Sequence, residues 1–281
     1  MIVRRVLLAV LLTSLLTPYS LPATSFAKAE PLVIAASPSV KAPIEALAQA
    51  FEAAHPDVTV RIYFDSALDL RRTIASVENR GRYFIGTGPV HLLAPGDDEL
   101  LDRLEQKYYV LPGNRRSYAA VPLVLVVPES LVEAPASFEA VVGNPALRIA
   151  VADPGLTELG RATQQVLHRL GIAEAQHDRL DVAADARGVL DHLLLGQADV
   201  GILFGPDAVQ EQERVRVAAV APPVSYQPTV HSIAMERSCP NRILCDAFLA
   251  FTQTAEAVVV LRRLGYASPS DQSHAHVTSS R

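Results

Sequence analysis

Residues 149–171, IAVADPGLTELGRATQQVLHRLG, read as a strand, a tight turn and a helix in immediate succession. No other stretch restricts the fold as much, because a chain built from such units in series forms a layered α/β structure. Ile149 to Ala152 is a short apolar run of the kind a buried parallel strand needs, and Asp153-Pro154-Gly155 stops it with turn chemistry. Thr157 is placed to cap the helix, and Leu159, Ala162, Val166 and Leu170 recur along one helical face until Gly171 ends it. A unit of this kind points unpaired helix N-terminal N–H groups past the end of its strand, toward any anion or polar ligand held there. Most such junctions merely connect two elements, so a binding role needs several of them together.

The first 29 residues are of another type. Arg4 and Arg5 precede an apolar run from Val6 to Leu16, and Ala27-Lys28-Ala29 suits cleavage before Glu30. This pattern predicts a secretory signal peptide over 1–29 and a periplasmic mature chain. The run is too short for a comfortable membrane span, and no cysteine near the cut is placed to take a lipid. Cleavage leaves about 250 of the 281 residues, with enough apolar side chains for a substantial core. The formal charge of −5 becomes more negative when Arg4, Arg5 and Lys28 are removed, which argues against nucleic acid or anionic lipid as a partner. Cys239 and Cys245 are the only cysteines; a disulfide suits an exported chain, while the helix start at Pro240-Asn241 separates the pair, so sequence leaves the bridge undecided. With no histidine near them in sequence, they are weak grounds for a metal.

Strands and helices alternate from Glu30 onward. The sequence predicts a strand at Leu32–Ala36, a junction at Ser37-Pro38-Ser39 and a helix at Lys41–Ala54, then a strand at Val58–Phe64, a cap-like Asp65-Ser66 and a helix at Leu68–Val77. Val90–Ala94 reads as a strand and Glu99–Lys107 as a helix. Tyr108 to Ala120, with Pro112-Gly113-Asn114, reads as a loop or linker into a second domain that opens with the strand Val121–Val127. Asp185–Leu195 is a capped helix, Val200–Phe204 a strand, and Val215–Val220 and Val230–Met235 are strands flanking Pro222-Pro223, a return crossing. Helices at Arg242–Thr252 and Glu256–Leu264 precede a polar tail, 270–281, that reads as disordered.

No Gly-x-Ser-x-Gly elbow, His-Glu-x-x-His pair or phosphate loop is present, so the sequence argues against an enzyme and implies no cofactor. Several pieces instead resemble the periplasmic molybdate-binding proteins of ABC importers: Ala35-Ala36-Ser37-Pro38-Ser39 with its helix to Phe51, Ala152-Asp153-Pro154 followed by Gly160, Asp185-Ala186-Arg187-Gly188, Ala198-Asp199-Val200-Gly201-Ile202 before Asp207-Ala208-Val209, and Arg263-Leu264-Gly265-Tyr266. Their order and spacing cover most of the mature chain. The resemblance implies a two-lobed, type II-like periplasmic-binding-protein fold, each lobe a mostly parallel sheet flanked by helices. Lobe 1 would comprise 30–118 plus 226–269 and lobe 2 would comprise 119–225, joined by two crossover segments. It further implies a monomer that traps molybdate or tungstate in the cleft and delivers it to a membrane permease.

The same resemblance places the ligand groups. Ser39 falls on the first of two family serines; Ala67 holds the position of the second, with Ser66 beside it as a substitute. Leu159 and Ala186 fall on main-chain donors, and Phe204 falls on a tyrosine, whose hydroxyl is therefore absent. A hydrogen bond to a charged group contributes about 1.5–3 kcal/mol, so that loss alone weakens binding about tenfold to a hundredfold. Asp65 opposes an anion more strongly: a carboxylate ~5 Å from a dianion costs on the order of 6 kcal/mol at an effective dielectric of about 20. Glu158 raises the same objection. Both acids also have ordinary structural roles near helix N-termini, Asp65 as a cap and Glu158 in a first turn. His91 replaces an acid of the family pattern. Two further readings stand beside the oxyanion receptor: a binder of a different polar or cationic solute, and a sensory or scaffold protein that kept the fold without transport.

Overall fold

A computed structural model describes residues 31–65, 90–96, 98–171 and 178–271. The signal segment, the expected helix at 68–77, Ser66 and Ala67, and the last ten residues lie outside the described residues. In chain order the first elements are β1 (Leu32–Ala36), α1 (Lys41–Ala54), β2 (Val60–Phe64), β3 (Leu92–Ala94), α2 (Asp98–Gln106) and β4 (Val110–Val121). β5 (Leu123–Pro128), α3 (Phe138–Gly143), β6 (Ile149–Ala152), α4 (Glu158–Arg169), β7 (Leu180–Ala183), α5 (Ala186–Leu194), β8 (Val200–Phe204), α6 (Gly205–Gln210) and β9 (Val215–Val220) follow. β10 (Thr229–Glu236), α7 (Arg242–Phe251) and α8 (Ala255–Arg263) complete the order.

Two five-stranded sheets result, β2-β1-β3-β10-β4 and β7-β6-β8-β5-β9. Each is mixed. β2, β1 and β3 run parallel, as do β7, β6 and β8, while β10 and β5 run antiparallel to both of their neighbours. The expected mostly parallel sheets therefore hold for three adjacent strands of each, and the remaining two come from the crossings.

Side-chain alternation explains how the first sheet takes helices on both faces. Leu32, Ile34 and Ala36 of β1, with Leu92 and Ala94 of β3, pack on the face covered by α1, α7 and α8, where Phe51 meets the rings of Phe248 and Phe251 at 5.0 and 5.4 Å. Ala35 and Leu93 point the other way, onto Leu100, Leu101 and Leu104 of α2. In the second lobe Val126, Ile149, Val151 and Ile202 join Val166, Val189 and Leu193 in a separate core.

The segment read as a linker is a strand. β4 pairs with β10 along most of its length, and the chain leaves the first sheet at Val121 and joins the second at Leu123, with Pro122 alone between them. Pro112 and Gly113 gave β4 the look of a loop. They are tolerated because β4 is an edge strand, where one side of the backbone needs no ladder partner. β7, an edge strand of the other sheet, has no counterpart in the elements read from sequence. The return crossing at 221–228 is fastened to the first one: the Tyr226 hydroxyl accepts from Leu123 N at 2.9 Å, and Ala221 N donates to Leu123 O at 2.8 Å.

Cys239 and Cys245 form a disulfide. The predicted helix start is also present, with Asn241 Oδ1 accepting from Leu244 N at 3.1 Å, and the helix does run through Cys245. The two features coexist because Cys239 lies in the turn before α7 and Cys245 on the buried face of its first turn. Closing so small a loop limits the unfolded chain by about 2 kcal/mol in the chain-entropy estimate. Reduction with a phosphine is accordingly expected to lower the denaturation midpoint by several degrees, read by calorimetry with and without reductant; an unchanged midpoint would show that the bridge contributes nothing.

Candidate functional site

The described candidates share one feature of placement. Ser39 follows β1, Asp65 follows β2, Leu159 and Ala186 open the helices after β6 and β7, and Phe204 ends β8. All are at the C-terminal ends of parallel strands, where open α/β sheets bind ligands.

In the first lobe β1 gives way to Ser37, which is extended and caps a single 3-10 turn, Pro38–Val40. Its Oγ takes the Ser39 N–H at 3.4 Å and the Ser39 hydroxyl at 3.0 Å. Ser37 is buried and Ser39 exposed, so Ser39 offers a hydroxyl held in position from below. Gly96 closes over it. Its φ of +87° favours glycine, and a Cβ there would fall 2.4 Å from Ser39 Oγ. The Gly96 carbonyl in turn meets His231 Nδ1 at 2.9 Å, and since a carbonyl only accepts, Nδ1 carries the proton. Asp65 is half-buried, with its N–H donating to Ala36 O at 3.0 Å.

The second lobe presents capped helix ends. Asp153 Oδ1 accepts from Gly155 N at 2.7 Å, the Asp153 carbonyl accepts from Thr157 N and Oγ1 at 3.0 Å each, and Thr157 Oγ1 caps α4 through Gly160 N at 2.9 Å. Gly160 is required: a Cβ would lie 2.4 Å from the Asp153 carbonyl carbon and oxygen. Asp185 caps α5 through Gly188 N at 2.9 Å, directly before Ala186. Leu159 is buried in the core, so only its main chain is available, as expected. Glu158 is paired with Arg161 at 2.7 and 3.0 Å, which offsets its charge beside the helix end. Phe204 packs against both cores and so stands at the boundary between the lobes.

His91 is elsewhere. It precedes β3, at the opposite end of the sheet from Ser39 and Asp65, and its Nδ1 accepts from Val33 N at 3.2 Å. One of its ring nitrogens and the sulfurs of Cys239 and Cys245 lie within 4.8 Å of one another, the one such cluster among the described residues. Sequence distance hid this neighbour of the cysteines. With the sulfurs joined to each other, the trio is not a metal-ligand set.

The residues that sequence missed are Gly96, His231, Tyr118 and Tyr266. His231 packs between the rings of Tyr118 and Tyr266, at 6.3 and 6.0 Å between centroids. Burial lowers its pKa from 6.5, opposed by the Gly96 carbonyl and by Asp98. Burial also pushes Asp207, in the first turn of α6, above its ordinary 3.8. Gly96 reads as an ordinary turn glycine, His231 as one residue of a strand, and Tyr266 as part of a resembling stretch with no ligand role.

The sequence description of the bacterial extracellular solute-binding proteins matches residues 32–267. This chain belongs to that family. Among relatives of the solute-binding protein are the molybdate-binding protein ModA of Escherichia coli, 24% identical over 214 residues covering 75% of this chain and 82% of that one, and a putative ABC transporter substrate-binding lipoprotein, YvgL, of Bacillus subtilis, 23% identical with 84% and 85% covered. The fold matches the substrate-binding domain of a putative molybdenum ABC transporter from Clostridium difficile, with a TM-score of 0.70 at 18% identity, covering 84% of this chain and 98% of the other. It also matches the periplasmic molybdate-binding protein of Azotobacter vinelandii, with a TM-score of 0.51 at 22% identity and 85% and 99% covered. The protein thus has the two-lobed fold of the periplasmic binding proteins, and its relatives are receptors for solutes, not enzymes.

The buried imidazole gives the receptor an acid sensitivity with a definite sign. His231 titrates below its unfolded value of 6.5, so the stability contributed by its neutral form is fully present above pH 6.5 and is lost as pH falls through the lowered value. His231→Gln keeps a donor for Gly96 but removes the titration. Its thermal midpoint should therefore gain on that of the unsubstituted protein between about pH 7.5 and about pH 5, and parallel curves would refute the assignment.

Proposed function

We propose that this solute-binding protein is the exported receptor of an ABC importer, taking a small oxyanion, molybdate or tungstate, between its lobes and passing it to a membrane permease. The observation that carries the reading is the presence of donor groups at the strand ends of both lobes: a positioned hydroxyl at Ser39 in one, and the capped N-termini of α4 and α5 in the other. Such groups hold a tetrahedral dianion by hydrogen bonds and helix dipoles, without a cationic side chain. Ser39, Ser66, Leu159 and Ala186 are the proposed ligand residues, with Ala67 and Phe204 where further hydroxyls would stand. The 1–29 leader supports export, and the names of the curated relatives support the ligand class.

Calorimetry of the mature protein with molybdate, tungstate, sulfate and phosphate tests the reading. Binding of molybdate or tungstate is expected, weaker than a site retaining both missing hydroxyls would give, and silence toward all four anions removes the oxyanion class. Asp65 favours one second reading, a cationic or other polar solute, because a half-buried carboxylate at the end of β2 would attract such a group. Asp65→Asn separates the two. If the carboxylate serves its own backbone and the segment after it, oxyanion affinity stays level or improves modestly. A gain of about a thousandfold, the several kcal/mol of a charge facing the ligand, would move the natural ligand out of the oxyanion class.

A further inference from the structure

The candidate shell is short of a hydroxyl at Phe204, and the tertiary structure brings the chain next to another phenol, Tyr266, against the chain next to Phe204. Gly205, the residue after Phe204, abuts Gly265, the residue before Tyr266. A Cβ on Gly205 would lie 2.3 Å from the Gly265 carbonyl oxygen, and a Cβ on Gly265 would lie 2.4 Å from the Gly205 carbonyl oxygen. Two backbones this close leave the flanking side chains of Phe204 and Tyr266 little freedom to separate. The contact is anchored on both sides: Gly205 N donates to Pro122 O at 2.8 Å, and Ala267 pairs with Ala120 through two bonds of 2.9 Å.

The other side of Tyr266 leads to the first lobe's ligand group. Its ring meets His231 edge to face at 6.0 Å, His231 holds the Gly96 carbonyl at 2.9 Å, and Gly96 lies against Ser39 Oγ. A run of contacts thus leads from Tyr266 through His231 and Gly96 to Ser39, while the glycine contact ties the Tyr266 backbone to that of Phe204. We infer that the Tyr266 hydroxyl is a ligand donor at the hinge end of the cleft, in place of the hydroxyl that Phe204 lacks. The inference rests on the oxyanion reading and adds to it a residue to which the family resemblance gave no ligand role.

The chemistry suits a donor. Burial, with the Asp207 carboxylate nearby, pushes the Tyr266 phenol up to about 12, so it keeps its proton across the physiological range. A neutral O–H stabilises an oxyanion without adding a charge that would bind sulfate and chloride indiscriminately. Tyr118, the other phenol beside His231, is fully enclosed and has no hydrogen-bond partner for its hydroxyl among the described residues, so it is a wall of this cluster and not a group facing the cleft.

The test is a restoration experiment read by calorimetry with molybdate. Tyr266→Phe is expected to weaken binding about tenfold to a hundredfold, the value of one hydrogen bond to a charged group. Phe204→Tyr placed in the Tyr266→Phe background is expected to recover most of that loss. In the unsubstituted protein carrying labelled tyrosine, the Tyr266 phenol carbon resonance should shift on addition of molybdate, a readout independent of how well the variant folds. Unchanged affinity in Tyr266→Phe, or a Tyr266 resonance that does not move, overturns the inference while leaving the oxyanion reading intact. If the unsubstituted protein binds none of the four anions, both fall together, before any variant is made.

Discussion

The backbone contact between Gly205 and Gly265 is the constraint on which the arrangement of the lobes depends. One glycine starts the helix after the last parallel strand of the second sheet, and the other ends the last long helix of the first lobe. Neither position has room for a methyl group, and Gly265 in addition has a φ of +85°. Pro122, the single residue between β4 and β5, lies against the same point, since a Cβ on Gly205 would come 2.8 Å from its ring. Phe204, Asp207 and Tyr266 are thereby gathered at the lobe boundary, and Phe204 contributes to both cores.

Charge is arranged around the candidate cleft so that a net acidic protein can still present an electropositive surface locally. The dipoles of α4 and α5 end at the strand termini, and the acid in the first turn of α4 is matched by Arg161. Arg187, in the first turn of α5, is matched in turn by Asp191 and Glu211 at 3.5 and 3.8 Å. These exposed pairs add little stability, but they leave the helix N–H groups as the main source of positive potential. Asp65 is the carboxylate whose placement most affects the choice of ligand.

The opposite end of the first lobe is built for durability. The disulfide joins the turn after β10 to α7, with His91 packed beside it. This fastening lies away from the strand ends that carry Ser39 and Asp65. The two crossings, stitched together through Tyr226 and Leu123, form the connection between the lobes.

Local chemistry was legible in the sequence because its partners are within a few residues. Thr157, Asp185 and Asn241 were recognisable as caps, Asp153-Pro154-Gly155 as a turn, and β6 and β8 as buried strands, since the hydrogen bonds and apolar spacing responsible for them are short-range. Two of the four edge strands were not legible: β4 contains Pro and Gly that only an edge accepts, and β7 alternates too weakly, with Asp181 between Leu180 and Val182, to stand out. The disulfide needed the fold to bring Cys239 and the face of α7 together. The largest gap concerns the site. By itself the sequence determined which residues could offer hydroxyls and helix ends, at Ser39, Leu159 and Ala186. That Gly96, His231 and Tyr266 adjoin Ser39 and Phe204 was decided only by the tertiary structure, because the five come from separate stretches of chain whose contacts leave no periodic or compositional trace.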